Sequence, residues 1–190
     1  MARTKIHLPV LGLAGLGCVS GVLSTYPPTT VEEFMLLDVP IYPGVVFGLA
    51  VGFGLLRWGR TSWIGAFLAF LLTNAAWIAA VHSFYLITDD ASANLYLGGF
   101  FAGAIGSAGT LLGGAISIRS LRAPRLWILT VFVGAVAGLL VVPEARSAEQ
   151  SFMILFIVWQ GAVAACVGYG LVRSDSTGRH GRGRRISGHS

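Results

Sequence analysis

The sequence predicts an all-α bundle of six membrane-spanning helices with both termini in the cytoplasm. Mean hydropathy is +0.76. Only 11% of the 190 residues are charged, against about 25% in soluble domains. The third observation is that the sign of the charges alternates from one interval between apolar runs to the next. Together these features predict a polytopic membrane protein and argue against a soluble class.

Each of six apolar runs is long enough to cross the ~30 Å hydrocarbon layer as a helix of about 17 to 25 residues. Backbone amides must be paired inside lipid, and the runs lack the alternation of barrel strands, so each run is predicted to be helical. Prolines sit at predicted ends and not at predicted centres. The predicted spans are 8–25, 41–56, 62–84, 94–118, 126–142 and 152–172.

The charges between the spans set the predicted topology. Lys and Arg clusters stay on the cytoplasmic side during insertion. Twelve of the 13 basic residues fall on that side, with Arg146 outside, and seven of the eight acids fall on the other, with Asp175 inside. This asymmetry explains the net charge of +5 without nucleic acid as a partner. The predicted location is the plasma membrane, as in a bacterial inner membrane.

Two domains are predicted: a transmembrane domain over 1–172 and a basic cytoplasmic tail over 173–190. The tail is rich in Gly, Ser and Arg, so it is expected to be disordered and attracted to anionic lipid. The first span has an alternative interpretation, because Arg3 and Lys5 before an apolar run also fit a secretory signal. The missing A-x-A cleavage pattern favours an uncleaved helix.

Capping boxes predict two further helix starts. Ser147 with Gln150 fits the S-x-x-Q pattern before the last span, and Thr30 with Glu33 fits the related S/T-x-x-E pattern. The second box predicts a short helix on the outer surface between the first two spans.

Small-residue spacing predicts close helix packing. Seven glycines are the predicted packing positions, because G-x-x-x-G faces let backbones approach in lipid. Packing within one monomer is the simpler interpretation, and a homo-oligomer or another membrane protein is the alternative. The seven are Gly44, Gly48, Gly52, Gly99, Gly103, Gly134 and Gly138.

Residues 51–57 and 167–173 resemble each other, since both read Val-Gly-aromatic-Gly-Leu and end in arginine. With the loop charges, this echo suggests three helical hairpins. Internal repeats occur in transporters and also in passive scaffolds.

Polar residues inside the predicted spans are the candidate functional positions. No charged residue lies in the central part of a span, which argues against proton pumps and voltage sensors. Asn74 and Gln160 each lie about ten residues from the outer end of a span, ~12 to 15 Å deep. Flanked by Trp77 and Trp159, they form the predicted substrate site. The competing interpretation is hydrogen bonding between helices, worth about 0.6 kcal/mol.

No enzyme, metal or cofactor is predicted. Ser107 lies ~20 Å deep and His82 at the outer boundary, too far apart for a nucleophile and its base. Cys18 and Cys166 are isolated and read as small hydrophobes. Two functions fit this pattern: a small uncoupled permease or transporter subunit for a neutral solute, and a non-catalytic membrane scaffold or assembly partner.

Overall fold

The computed structural model describes residues 8–26, 35–36, 39–88, 94–146 and 152–182, and for Met35 and residues 173–182 it describes the backbone alone. Seven α-helices dominate these residues, which confirms the all-α class. A hairpin pairs β1 (Met35–Leu36) with β2 (Val39–Pro40), and a 3₁₀ helix spans Arg119–Arg122. The helices are α1 (Leu8–Thr25), α2 (Tyr42–Gly59), α3 (Trp63–Thr88), α4 (Leu95–Ser117), α5 (Pro124–Gly138), α6 (Val141–Ala145) and α7 (Met153–Arg182).

Local chemistry explains several helix ends. Pro43 and Pro124 occupy the first turns of α2 and α5, where the missing N–H has no intrahelical partner to lose. Arg60 ends α2 with a left-handed backbone, φ 52°, and its N–H donates to the Leu55 carbonyl. These ends lie within a few residues of the predicted boundaries.

The helices form a closed ring in sequence order. Each of α1 to α4 packs against the next helix in the sequence, α5 packs against α7, and α7 packs against α1. Every neighbouring pair is antiparallel: Gly17 faces Gln160 whereas Gly168 faces Pro9, for example. The chain therefore runs up and down around the ring.

Antiparallel packing gives the ring two ends. One, the arginine end, carries the turns with Arg57, Arg60, Arg119, Arg122 and Arg125. The other, the cavity end, carries Tyr26, the hairpin, the end of α3, the start of α4, α6 and the start of α7. Arg146 follows α6 at the cavity end.

Five helical segments are long and apolar enough to cross a membrane within the described residues: α1, α3, α4, α5 with α6, and α7 up to Val172. The outward surface is apolar as well, with Ile64 73% and Ile128 72% exposed. Such a surface belongs to an integral membrane protein, since lipid is the medium that covers it. The helix α2 has 18 residues but includes five glycines and Arg57, and it is not among these five apolar segments.

Three local predictions need adjustment. Met35 and Leu36 form a strand, so the predicted outer helix is wrong at those positions. The last span of the predicted six continues as helix to Arg182, ten residues past residue 172. The fifth predicted span is broken after Gly138. Ser147 and Gln150 of the predicted capping box lie outside the described residues, as do Thr30 and Glu33.

A cluster of buried apolar side chains fills the ring toward the arginine end. Its members come from α1, α2, α3, α4, α5, α7 and the 3₁₀ helix. They include Leu13, Val51, Leu55, Leu111, Leu121, Leu126, Val163 and Val167, each at most 2% exposed.

A candidate binding cavity at one end of the ring

Two helical stripes meet across the cavity end of the ring. On α3 the stripe is Trp77, Ala80, Val81 and Phe84. The second stripe is Leu155, Phe156 and Trp159 of α7 with Phe152, the residue before that helix. Both follow the spacing i, i+3, i+4, i+7, which places residues on one face of a helix. Trp77 contacts Phe156 across the gap, with ring centroids 5.7 Å apart.

Between the stripes lies a cavity of about 250 Å³. The third wall consists of small residues of α4 and α5, namely Gly99, Ala102, Gly103 and Gly138, with Val141 of α6. Pro40 and Tyr85 complete the lining. None of the residues that line the cavity is Asp, Glu, His, Lys or Arg, and six of them are aromatic.

The two indole N–H groups are already hydrogen-bonded. The Nε1 of Trp77 donates to the Pro40 carbonyl at 2.7 Å, which ties the β-hairpin to α3. The Nε1 of Trp159 donates to the Gly103 carbonyl at 3.4 Å, which ties α7 to α4. The two indole rings therefore present apolar surface to the cavity, and Tyr85, 56% exposed, is the lining residue whose side chain has a hydroxyl group.

Trp159 forms the floor. It lies six residues inside α7, about 9 Å from the helix start, and its ring packs on Phe47 with centroids 5.4 Å apart. A methyl group at Gly106 would collide with this indole, so the glycine makes room for it. Below the floor the ring interior is filled by the buried apolar cluster.

Two of the four predicted site residues, Trp77 and Trp159, line the cavity, whereas Asn74 and Gln160 do not. The Nδ2 of Asn74 donates to the carbonyl of Phe70 on its own helix at 2.8 Å, and its amide faces Gly48 of α2. Successive helical residues point about 100° apart, so Gln160 faces α1 although Trp159 faces the cavity.

Gln160 joins two helices. Its Oε1 accepts a hydrogen bond from Ser20 at 2.6 Å, and its Nε2 donates to Ser24 at 3.1 Å. The side chain is 1% exposed. Gln160 therefore forms hydrogen bonds between α1 and α7, and both the oxygen and the nitrogen of its amide have a partner on α1.

The seven predicted packing glycines all lie at helix contacts inside the monomer. Gly44, Gly48 and Gly52 face α3. On α4 and α5 the contact is reciprocal: Gly99 meets the Gly138 backbone, and Gly103 meets the Gly134 backbone. Three of these four glycines, Gly99, Gly103 and Gly138, belong to the small-residue wall of the cavity.

The rim of the cavity contains features that the sequence analysis missed. Gly138, after which the helix breaks, and Phe152, with its left-handed backbone (φ 50°), both line the cavity; the buried Glu144 accepts a hydrogen bond from Leu155, which also lines it. The i, i+3, i+4, i+7 spacing of Phe152, Leu155, Phe156 and Trp159 was a usable signal in the sequence. No such spacing signal marks Glu144.

Among the residues that the structure describes, no group of three His, Cys, Asp or Glu side chains is placed to hold a metal ion. Comparisons of the chain with protein-family models, with curated proteins and with solved structures give no match.

Proposed function

We propose that the chain crosses a bacterial plasma membrane six times. Both termini and the arginine end then lie on the cytoplasmic side. The ring supports this, because α2 occupies a position equivalent to its neighbours between α1 and α3. The five described arginines named above lie at one end, as cytoplasmic retention of basic residues requires. Consecutive antiparallel helices also fit three hairpins.

Paired cysteine labelling tests this topology. A cysteine at Arg146 is expected to react with a membrane-impermeant maleimide in intact cells. A cysteine at Arg119 is expected to react only after permeabilisation. The opposite pattern, or equal labelling of both, contradicts the proposed orientation.

We propose further that the cavity binds a small neutral solute, and that the protein is a small uncoupled permease or the membrane subunit of a transporter. The observation that carries this proposal is the aromatic cavity between α3 and α7. Well-formed apolar pockets are the default binding sites of proteins. The lining contains no Asp, Glu, His, Lys or Arg, which disfavours a charged solute, because the desolvation of its charge would be uncompensated.

Volume limits the size of the solute. An apolar cavity of about 150 Å³ accommodates benzene, so 250 Å³ corresponds to about ten non-hydrogen atoms on the same scale. A full lipid acyl chain exceeds this. A wholly apolar molecule crosses lipid unaided, so a neutral ring with one polar group, able to reach Tyr85, fits the site better.

The interrupted helix beside the cavity adds support. Transporters often build substrate sites from discontinuous membrane helices. Here α5 ends at Gly138 and α6 begins at Val141, and both residues line the cavity. Passage toward the arginine end requires movement of Trp159 and the cluster below it.

Fluorescence quenching by para-bromophenol tests the binding site. The background variant replaces Trp58, Trp63 and Trp127 with Phe, leaving Trp77 and Trp159 as reporters in lipid nanodiscs. Saturable quenching is expected with this neutral probe and not with the charged para-bromobenzoate.

A matched pair of variants distinguishes binding of the probe in the cavity from its partitioning into the lipid. Ala80→Leu fills part of the cavity and is expected to weaken binding at least about tenfold, since its added carbons occupy roughly a third of the ten-atom space. Ala79→Leu, on the exposed neighbouring position, is expected to leave binding unchanged. Linear quenching that is equal in all variants contradicts the binding site.

The scaffold hypothesis remains the second candidate, and Gly15 is the observation that favours it. A methyl group at Gly15 would meet no atom within 4 Å, so this glycine faces outward from α1 beside exposed Leu11 and Val19. Such a face could admit a partner helix. Loss of a co-purifying membrane protein in Gly15→Leu, with probe binding intact, would support the scaffold role.

A further inference from the structure

Glu144 connects α6 to the start of α7 through its carboxylate. Its Oε1 accepts hydrogen bonds from the N–H groups of Ile154 at 2.7 Å and Leu155 at 3.2 Å. These belong to the first turn of α7, whose N–H groups have no partner within the helix. A negative charge is also favoured at a helix N-terminus. Glu144 is 7% exposed, so this contact is buried.

The helix that carries Glu144 is separated from α5. Pro143 lacks an N–H, and its ring clashes with the carbonyl four residues earlier, that of Leu139. Leu139 and Leu140 instead donate to carbonyls three residues back, at 3.2 and 3.1 Å. The five residues of α6 are therefore not held in line by a continuous helix, and contacts such as that of Glu144 determine where α6 lies.

Phe152 is held in a conformation that bulky residues avoid. Its φ of 50° lies in the left-handed region, which costs an ordinary L-residue about 1–2 kcal/mol. Its carbonyl accepts the Phe156 N–H at 3.0 Å, so it starts α7 while its side chain lines the cavity. Such a conformation persists where surrounding contacts hold it, and it is frequent at ligand sites.

We propose that Glu144 is a positioning residue of the cavity. Its carboxylate fastens α6 to α7 and so holds Val141, Phe152 and Leu155 as a single wall; release of this contact opens the wall to the solute. The proposal rests on the binding function above. It assigns control of solute entry and exit to a carboxylate that does not itself line the cavity.

Stopped-flow binding of para-bromophenol to the full-length protein tests the proposal. In Glu144→Ala the association and dissociation rates are both expected to rise, dissociation by about tenfold, because two hydrogen bonds to a charged group are lost. Glu144→Gln keeps an Oε1 acceptor, so its rates are expected to stay within about threefold of the unmutated protein. Rescue by glutamine separates positioning from a general need for charge.

Ser24→Ala is the matched control, since it removes a buried hydrogen bond between α1 and α7 away from the cavity. It is expected to lower stability without changing either rate. If Glu144→Ala does not fold, Ile154→Pro removes one donor of the same contact at a helix position that tolerates proline, and it is expected to raise both rates. Unchanged rates in the folded variant overturn the proposal.

Amide hydrogen exchange separates failure of this proposal from failure of the proposed function. Faster exchange at Ile154, Leu155 and 139–142 is expected in Glu144→Ala and not in Ser24→Ala. If the unmutated protein binds no probe, the binding function is contradicted. The exchange rates then still test whether Glu144 holds α6 against α7. Exchange that is unchanged at these amides refutes the positioning role even where the probe binds.

Discussion

The two ends of the helix ring share one geometry and differ in what fills it. Toward the arginine end, Leu55, Leu111, Leu121, Val163 and Val167 pack the interior at no more than 1% exposure. Toward the cavity end, α3, α4, α5 and α7 contribute mainly glycine, alanine and aromatic rings, and a cavity of about 250 Å³ remains.

This difference shows that side-chain volume, and not backbone architecture, places the cavity. Interiors normally pack as densely as organic crystals. Trp77 and Phe156 meet at their edges across the ring and so bridge the walls without filling the space. The glycines of α4 and α5 let those helices approach closely while leaving the surface flat.

The largest expected effect on stability comes from a substitution that forces α4 and α5 apart at the cavity end. In Gly103→Val, the new side chain would collide with the backbone carbonyl of Gly134, which cannot move away as a flexible side chain could. We expect a loss of about 3 kcal/mol or more in the free energy of unfolding. Detergent titration in mixed micelles measures it. Gly15→Val is the control, and an equal loss there would refute close packing as the cause.

A second experiment compares truncation of a buried leucine to alanine in the filled half of the ring, toward the arginine end, with the same truncation in the half that contains the cavity. Leu111→Ala removes a side chain that is fully buried in the filled half, and we expect a cost of about 2–4 kcal/mol because a new void is created. Leu155→Ala enlarges a cavity that already exists, so we expect a cost at the low end of the range for such deletions, about 2 kcal/mol. Equal costs would mean that the two halves are packed alike.

The smallest expected effect on stability comes from Asn74 and Gln160, the two polar residues that the sequence predicts at the same depth in the membrane. Gln160→Leu removes two hydrogen bonds to α1, and we expect a loss of about 0.6–1.7 kcal/mol of unfolding free energy. Asn74→Leu removes a bond within one helix, so a smaller loss is expected. A double-mutant cycle of Gln160→Leu with Ser24→Ala isolates the interhelical part. A coupling energy of zero would contradict the inferred role.

Much of the fold follows from the sequence because lipid imposes strong constraints. Run length predicts the helices to within a few residues, except at 138–141 and beyond residue 172. Trp77 and Trp159 were also identified, as aromatic neighbours of polar positions. The sequence could not show that Asn74 and Gln160 point away from the cavity, since one step along a helix rotates a side chain by about 100°. The capping box at Thr30 favoured a helix, and pairing with Val39 and Pro40 gives a strand at Met35 and Leu36 instead.

Composition, run length and charge sign determined by themselves that this chain is a helical membrane protein with all but one of its arginines in alternate intervals between the apolar runs. Only the tertiary structure decided which face of each helix looks into the ring, where the rings of α3 and α7 meet, and that Glu144 reaches the first turn of α7. The physical reason is that lipid and protein interior are equally apolar. Hydropathy therefore carries no signal that separates the inward face from the outward one, and side-chain shape settles it after the helices assemble.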